Sequence, residues 1–282
     1  MNLFSGLEKF GLKSTESMQL FEDEQKEDKK GADARAEEKI PAESDFLLEK
    51  TVHCKVCDHV FKTKVIKSGR VKRLEPDRDL RPRFQYIDTL KYDITSCPAC
   101  GYTAMNRFYE HLTPTQVKLI KEQISSNFQP SNKPENAVYD YDEVIDRYKL
   151  SLVNTVVKKG KDSEKAYTCL KIAWLLRGKA ETMSEDTPEA KAAKAEVLKE
   201  EEGFYQQAFE GFMKAISEEM FPMCGMEQST VDYILAYMAY HFKKYEIASK
   251  FLASVLTAPS ASRRMKDMAL ELKEDIIAEL RK

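Results

Sequence analysis

Cysteine is scarce in this chain, six among 282 residues, and the scarcity sets aside a disulfide-framework fold in favour of a reducing compartment. Long apolar runs are missing as well. The longest uncharged one, Tyr233 to Phe242, covers about half of the roughly 20 residues a membrane-crossing helix needs. The start, Met-Asn-Leu-Phe-Ser-Gly-Leu-Glu-Lys-Phe, lacks a basic leader followed by an apolar stretch. A soluble, cytoplasmic protein without a membrane partner is therefore expected. Asp77, Asp79, Asp88 and Asp93 have neither a phosphate-cradling glycine loop nor a histidine pattern beside them. Turn caps and ion pairs with Arg78, Arg81 and Arg83 account for them, and no catalytic role is assigned.

Four of the few cysteines stand in two short-spaced pairs, Cys54-Lys55-Val56-Cys57 and Cys97-Pro98-Ala99-Cys100-Gly101, with 39 residues between the pairs. Two such pairs supply the four thiolates that a tetrahedral Zn²⁺ asks for, each pair wrapping one tight knuckle around the ion. The expected cofactor is thus a structural zinc ion held by Cys54, Cys57, Cys97 and Cys100. A redox pair is the alternative, but it needs a thioredoxin-like context that is absent. His53 and His59 flank the first pair as bystanders, because four sulfurs already complete the tetrahedron. Cys169 and Cys224 read as small apolar fillers, and His111 and His241 as ordinary structural residues.

Net charge is close to zero but unevenly spread, with 8 basic and 13 acidic residues in 1–50, 12 and 7 in 51–110, and 25 and 27 afterwards. Residues 22–45 are too polar to bury a core and read as a flexible linker. Ahead of them Leu3, Phe4, Leu7 and Phe10 recur at helical spacing, which fits either a short docking helix or a frayed terminus. From Thr51 to about Phe108 the text is strand and turn. Phe61, Thr63 and Val65 alternate on one face, Ser68-Gly69 turns the chain back through Val71, and Tyr86 to Ile94 leads a second strand into Cys97.

After the cysteine pairs the period changes to that of helices. Thr113-Pro114-Thr115-Gln116 carries a capping box, Tyr141 to Val156 an inner stripe closed by Gly160, and Ser163 a cap for the next helix. Helices follow over about Thr187 to Ser217, Ser229 to Phe242, Tyr245 to Leu256 and Ser262 to Arg281. Leu235-Ala236, Ala239, Ala248, Leu252, Val255 and Pro259 fall at the offsets of a tetratricopeptide repeat, and Ile172-Ala173, Leu176, Ala208, Phe212 and Ala215 make a looser copy. An ordinary helical bundle imitates that signature. The expected fold is mainly α: a tail over 1–50, a β zinc ribbon over 51–110 and an α-helical tetratricopeptide-like domain over 111–282.

The order of segments resembles an uncharacterised bacterial family, domain of unknown function 2225, from about Val52 to the C-terminus. The resemblance is carried by Cys54-x-x-Cys57, Phe61-Lys62-Thr63-Lys64, Asp77-x-Asp79-Leu80-x-Pro82, Cys97-Pro98-x-Cys100-Gly101-Tyr102, Tyr148-Lys149-Leu150 and Leu170 to Arg177. It implies a ribbon fused to tetratricopeptide-like helices and brings no established activity. Where members usually carry Pro and Gly, this chain has Lys55 and Asp58; Asp tolerates the left-handed backbone such a knuckle requires.

Two functions follow from these features. The first is a non-enzymatic zinc-binding scaffold or adaptor whose helical repeats bind a protein or peptide partner. The second is a nucleic-acid binder led by the acid-free basic run Lys62, Lys64, Lys67, Arg70, Lys72 and Arg73. The bland account of that run is a solvated strand edge guarded by lysines.

Overall fold

A computed structural model describes residues 40–130 and 136–281. The amphipathic segment at Leu3 to Phe10 and most of the expected linker lie outside the described residues. The N-terminal part of the described chain holds two antiparallel strand pairs. Strand β1 (Leu47–His53) pairs with β2 (Val60–Ile66), and β3 (Ile94–Ser96) pairs with β4 (Thr103–Met105). Eight helices follow among the described residues: α1 (Asn106–Tyr109), α2 (Pro114–Ile120), α3 (Tyr141–Val157), α4 (Asp162–Thr182), α5 (Pro188–Glu218), α6 (Gln228–His241), α7 (Tyr245–Thr257) and α8 (Arg263–Leu280). The fold is mainly α with a small β ribbon at its start. No helix among the described residues is long and apolar enough to cross a membrane.

The alternation of Phe61, Thr63 and Val65 marks a strand, but its partner is not the stretch through Val71. It is β1, which begins at Leu47 and precedes the first cysteine pair, in a register that sets Val52 opposite Phe61 and His53 opposite Val60. The Cys54 to His59 knuckle is therefore the turn of this hairpin. The segment beyond Ser68-Gly69 makes a single bridge, Arg73 with Phe84, and runs on as an irregular strap. A strand over Tyr86 to Ile94 does not form either. Tyr86 sits at φ 67, and Asp88 then accepts from the Leu90 amide at 3.0 Å to start a 3₁₀ turn over Thr89–Tyr92. Only Ile94–Ser96 remains for the ladder, because a side chain that caps a turn holds the backbone out of the extended form.

The helix signals fare better because capping is local. The Gln116 amide reaches Thr113 Oγ1 at 3.3 Å while the Thr113 amide reaches Gln116 Oε1 at 3.0 Å, which is the capping box read from the sequence. That helix continues past Ile120 as one π-helical turn, Lys121–Ser125. Ser163 is not a cap. It lies inside α4, where its amide and hydroxyl both bond to the carboxylate of Glu219, at 2.9 and 2.5 Å, so that the end of α5 satisfies the orphan donors at the start of α4.

Helix α4 is buried on nearly every side: Leu170, Ile172, Ala173 and Leu175 are wholly enclosed by the neighbouring helices and the strap. A helix buried on so many sides is the centre of a core rather than its wall, and its buried charges Glu164 and Lys171 are paired. Small residues let helices cross closely elsewhere. Ala236, Ala239 and Ala248 are fully buried where α6 packs on α7, and the methyl of Ala166 faces Gly211 of α5. A second, smaller core, built from Val52, Val56, Tyr102, Ala104, Tyr109, Ile120 and Ile124, surrounds the cysteines.

Candidate metal centre

The two hairpins bring all four paired cysteines to one point. Their Sγ atoms lie within 4.8 Å of one another, with Cys54 to Cys100 at 3.5 Å and Cys57 to Cys97 at 3.7 Å. A tetrahedron with metal–sulfur bonds of about 2.3 Å has edges of roughly 3.8 Å, so the donor set fits a tetrahedral thiophilic cation. Cys54, Cys97 and Cys100 are buried, and Cys57 faces solvent.

The two knuckles are built alike. In the first, the Cys54 amide donates to the His59 carbonyl at 2.9 Å and the Asp58 amide to the Cys54 carbonyl at 3.1 Å. In the second, the Cys97 amide donates to the Tyr102 carbonyl at 2.8 Å and the Gly101 amide to the Cys97 carbonyl at 3.1 Å. Both turns need a left-handed residue after the second cysteine, and both have one: Asp58 at φ 60 and Gly101 at φ 74. Replacement of Asp58 by Gly removes a side chain from that conformation, and it is expected to preserve metal binding and to change stability by less than about 1 kcal/mol in denaturant titration. Gly101 differs, because a Cβ there would stand 2.4 Å from the Phe128 ring. Gly101→Val combines backbone strain with a clash, and a loss of about 3 kcal/mol is expected in the same titration.

The sulfurs act on one another, so that Cys54 is favoured as the anion while the hydrogen bond to Cys54 pushes the Cys100 thiol up. The Val56 amide points at Cys54 Sγ over 3.4 Å. Accepting hydrogen bonds from Cys100 and then Cys97 pulls the Cys54 thiol well below the ordinary thiol range. Burial, and next the neighbouring Cys54 sulfur, push the Tyr109 hydroxyl well above its usual range. The Tyr109 ring stacks on Tyr102 at 4.8 Å, and Tyr102 ties its own hydroxyl to the Tyr109 carbonyl at 2.9 Å. His53 and His59 are exposed and stand outside the group of four. Cys169 and Cys224 are buried apart from it, where burial pushes their thiols up to about 11 and about 12.

The six basic residues of the run scatter. Lys62 pairs with Glu49 across the hairpin at 2.8 Å, Lys64 lies over the Tyr139 ring at 4.5 Å, and Lys67 bonds to the Asp45 carbonyl at 2.8 Å. Arg70, Lys72 and Arg73 are exposed on the strap.

The acidic residues of the strap meet a partner that sequence reasoning missed. Asp79, 1 % exposed, accepts from Trp174 Nε1 at 2.9 Å, from Arg177 at 2.8 Å and from the Arg81 amide at 3.3 Å. Arg177 also bonds to Glu201 at 2.7 Å, and Arg81 and Arg83 converge on Glu181 at 2.9 and 2.6 Å. Arg81 with Asp77 and Asp88, and Arg83 with Asp77, are pairs expected from the local spacing. Arg78 instead reaches Asp275 on α8 at 2.5 Å, and Asp93 pairs with Lys171 of α4. Trp174 and Arg177 lie far along the chain from Asp79, and no local pattern announces such a pairing. Leu80, next to Asp79, sits at φ 67, a costly conformation for a side chain of its size.

The chain matches the model of a family described as an uncharacterised protein conserved in bacteria, DUF2225, over residues 47–276, and it belongs to that family. No curated protein and no solved structure matches it.

Proposed function

We propose that this member of the family is a non-enzymatic zinc protein that acts as a scaffold or adaptor, binding a protein or peptide partner through tetratricopeptide-like helices. The observation that carries the first half is the closed set of four sulfurs at tetrahedral spacing. Zinc held by four thiolates keeps no open position for substrate, so its contribution is to hold the two hairpins together. The partner-binding half is supported by paired helices α6 and α7 with buried alanines at their crossing, the offsets at which helical-hairpin repeats place small residues. Affinity capture from the native cell, with and without nuclease, tests it. Protein partners that survive nuclease are expected, and an empty capture contradicts the adaptor role.

A second reading, binding to nucleic acid, draws on Arg70, Lys72 and Arg73, exposed within four residues of one another on the strap. Phosphate binding by them would weaken steeply between low and moderate salt and fall on charge reversal of Arg70 and Lys72. A flat salt response removes it.

A further inference from the structure

We infer that the cleft between the strap and helices α4, α6 and α8 is a binding groove for an acidic linear peptide carrying large apolar side chains. The inference rests on the adaptor reading above and gives it a location and a ligand class. The cleft has a volume of about 1050 Å³, at the upper end of the range for sites that take a drug-sized ligand, and it is partly open to solvent.

Its walls mix deformable apolar side chains with polar and charged ones. Trp174 and Leu80 form part of the floor, Leu74 the exposed lip, and Met226, Met265 and Met268 line the helical side. Methionine walls adapt to varied apolar side chains, which suits a peptide better than a rigid small ligand.

Its charge is lopsided toward cations. Three basic side chains line the cleft, Arg73, Lys171 and Arg264, against two carboxylates, Glu75 and Asp93. Both carboxylates are already engaged, Asp93 by Lys171 and Glu75 by Arg264. Arg73 is left exposed, with no carboxylate partner among the described residues. The Glu75 to Arg264 pair is itself solvent-exposed at 80 % and 58 %, so an incoming carboxylate displaces it at little cost. An acidic peptide thus finds one unpaired cation and one easily freed at the mouth, with apolar pockets below.

Trp174 is the chain's single tryptophan and lies in the cleft, so its emission reports occupancy. The probes are a fluorescein-labelled nine-residue peptide with two phenylalanines and one leucine among glutamates, its lysine-for-glutamate counterpart, and a single-stranded RNA nonamer. The full-length chain is expected to bind the acidic peptide with a dissociation constant on the order of 10 to 100 µM and to shift Trp174 emission. The lysine peptide and the RNA are expected to bind at least about tenfold more weakly. Arg73→Glu and Leu74→Glu change exposed side chains, so the fold should survive, and each is expected to weaken the acidic peptide about tenfold.

Acidic-peptide binding that ignores both variants, or that is no tighter than lysine-peptide binding, overturns the groove; so does an emission shift produced by the RNA alone. Protein capture from cell extract that is unchanged in the two variants also overturns the groove while leaving the adaptor reading intact. An empty capture alongside variant-sensitive peptide binding removes the adaptor reading as stated and leaves the groove.

Discussion

Removing the metal by chelation under reducing conditions, or replacing Cys97 by Ser, is expected to melt the β ribbon while leaving the far helices folded. Ile94 and Met105 reach the large core, but the strands themselves are short or exposed. β3 and β4 are three residues each, and their partner hairpin presents Leu48, Lys50 and Thr51 to water. Strands this short are at best marginal without a cross-link. A structural zinc ion contributes on the order of 10 kcal/mol to small domains of this type, comparable to what the apolar side chains around the cysteines return by burial at about 2 kcal/mol each, so losing it removes a large share of what holds the ribbon. Helices α6, α7 and α8 contact one another and the large core instead. Hydrogen exchange should therefore show protection lost over 47–66 and 94–105 and retained over 228–280. Equal protection before and after metal removal would mean that the apolar cluster suffices.

Asp79→Ala is expected to be the most damaging single substitution away from the cysteines. Asp79 is almost wholly buried and accepts three hydrogen bonds, two of them from side chains of α4. Without it the Trp174 indole N–H loses its partner and Arg177 keeps Glu201, the Tyr205 ring face at 5.7 Å and a distant Asp77 at 3.7 Å. Burial already opposes the Arg177 cation, and Asp79 is the first of the charges that overcome it and hold the guanidinium well above its usual range. Breaking one partner out of a buried pair costs about 3 to 5 kcal/mol, which for a chain of this size lowers the melting temperature by about 10 °C. The double variant Asp79→Ala with Arg177→Met should regain a large part of that loss, because no buried charge is then left alone. A single variant within about 1 kcal/mol of the parent would show that water reaches the site.

What the sequence disclosed and what it hid divide along distance in the chain. Cys54, Cys57, Cys97 and Cys100 announce themselves because two ligands of each knuckle are neighbours, and metal spacing fixes the rest. Thr113, Pro114 and Gln116 declare a helix start by hydrogen bonds that close within one turn. The failures at Val71 and Tyr86 have a different cause. A strand needs a partner that alternation does not name, and here the knuckle itself was the turn while Asp88 diverted the chain into a 3₁₀ turn. Ser163 misled because its hydroxyl serves Glu219 of another helix. The link from Asp79 to Trp174 and Arg177 was the largest omission, since each residue is unremarkable until the strap lies on α4.

X-ray absorption at the zinc edge, on the reduced chain purified without added metal, bears most directly on the central claim. One zinc per chain with four sulfur neighbours at about 2.3 Å is the predicted result. A chain free of stoichiometric metal, or an ion bound by nitrogen or oxygen in place of any of the four thiolates, would contradict it.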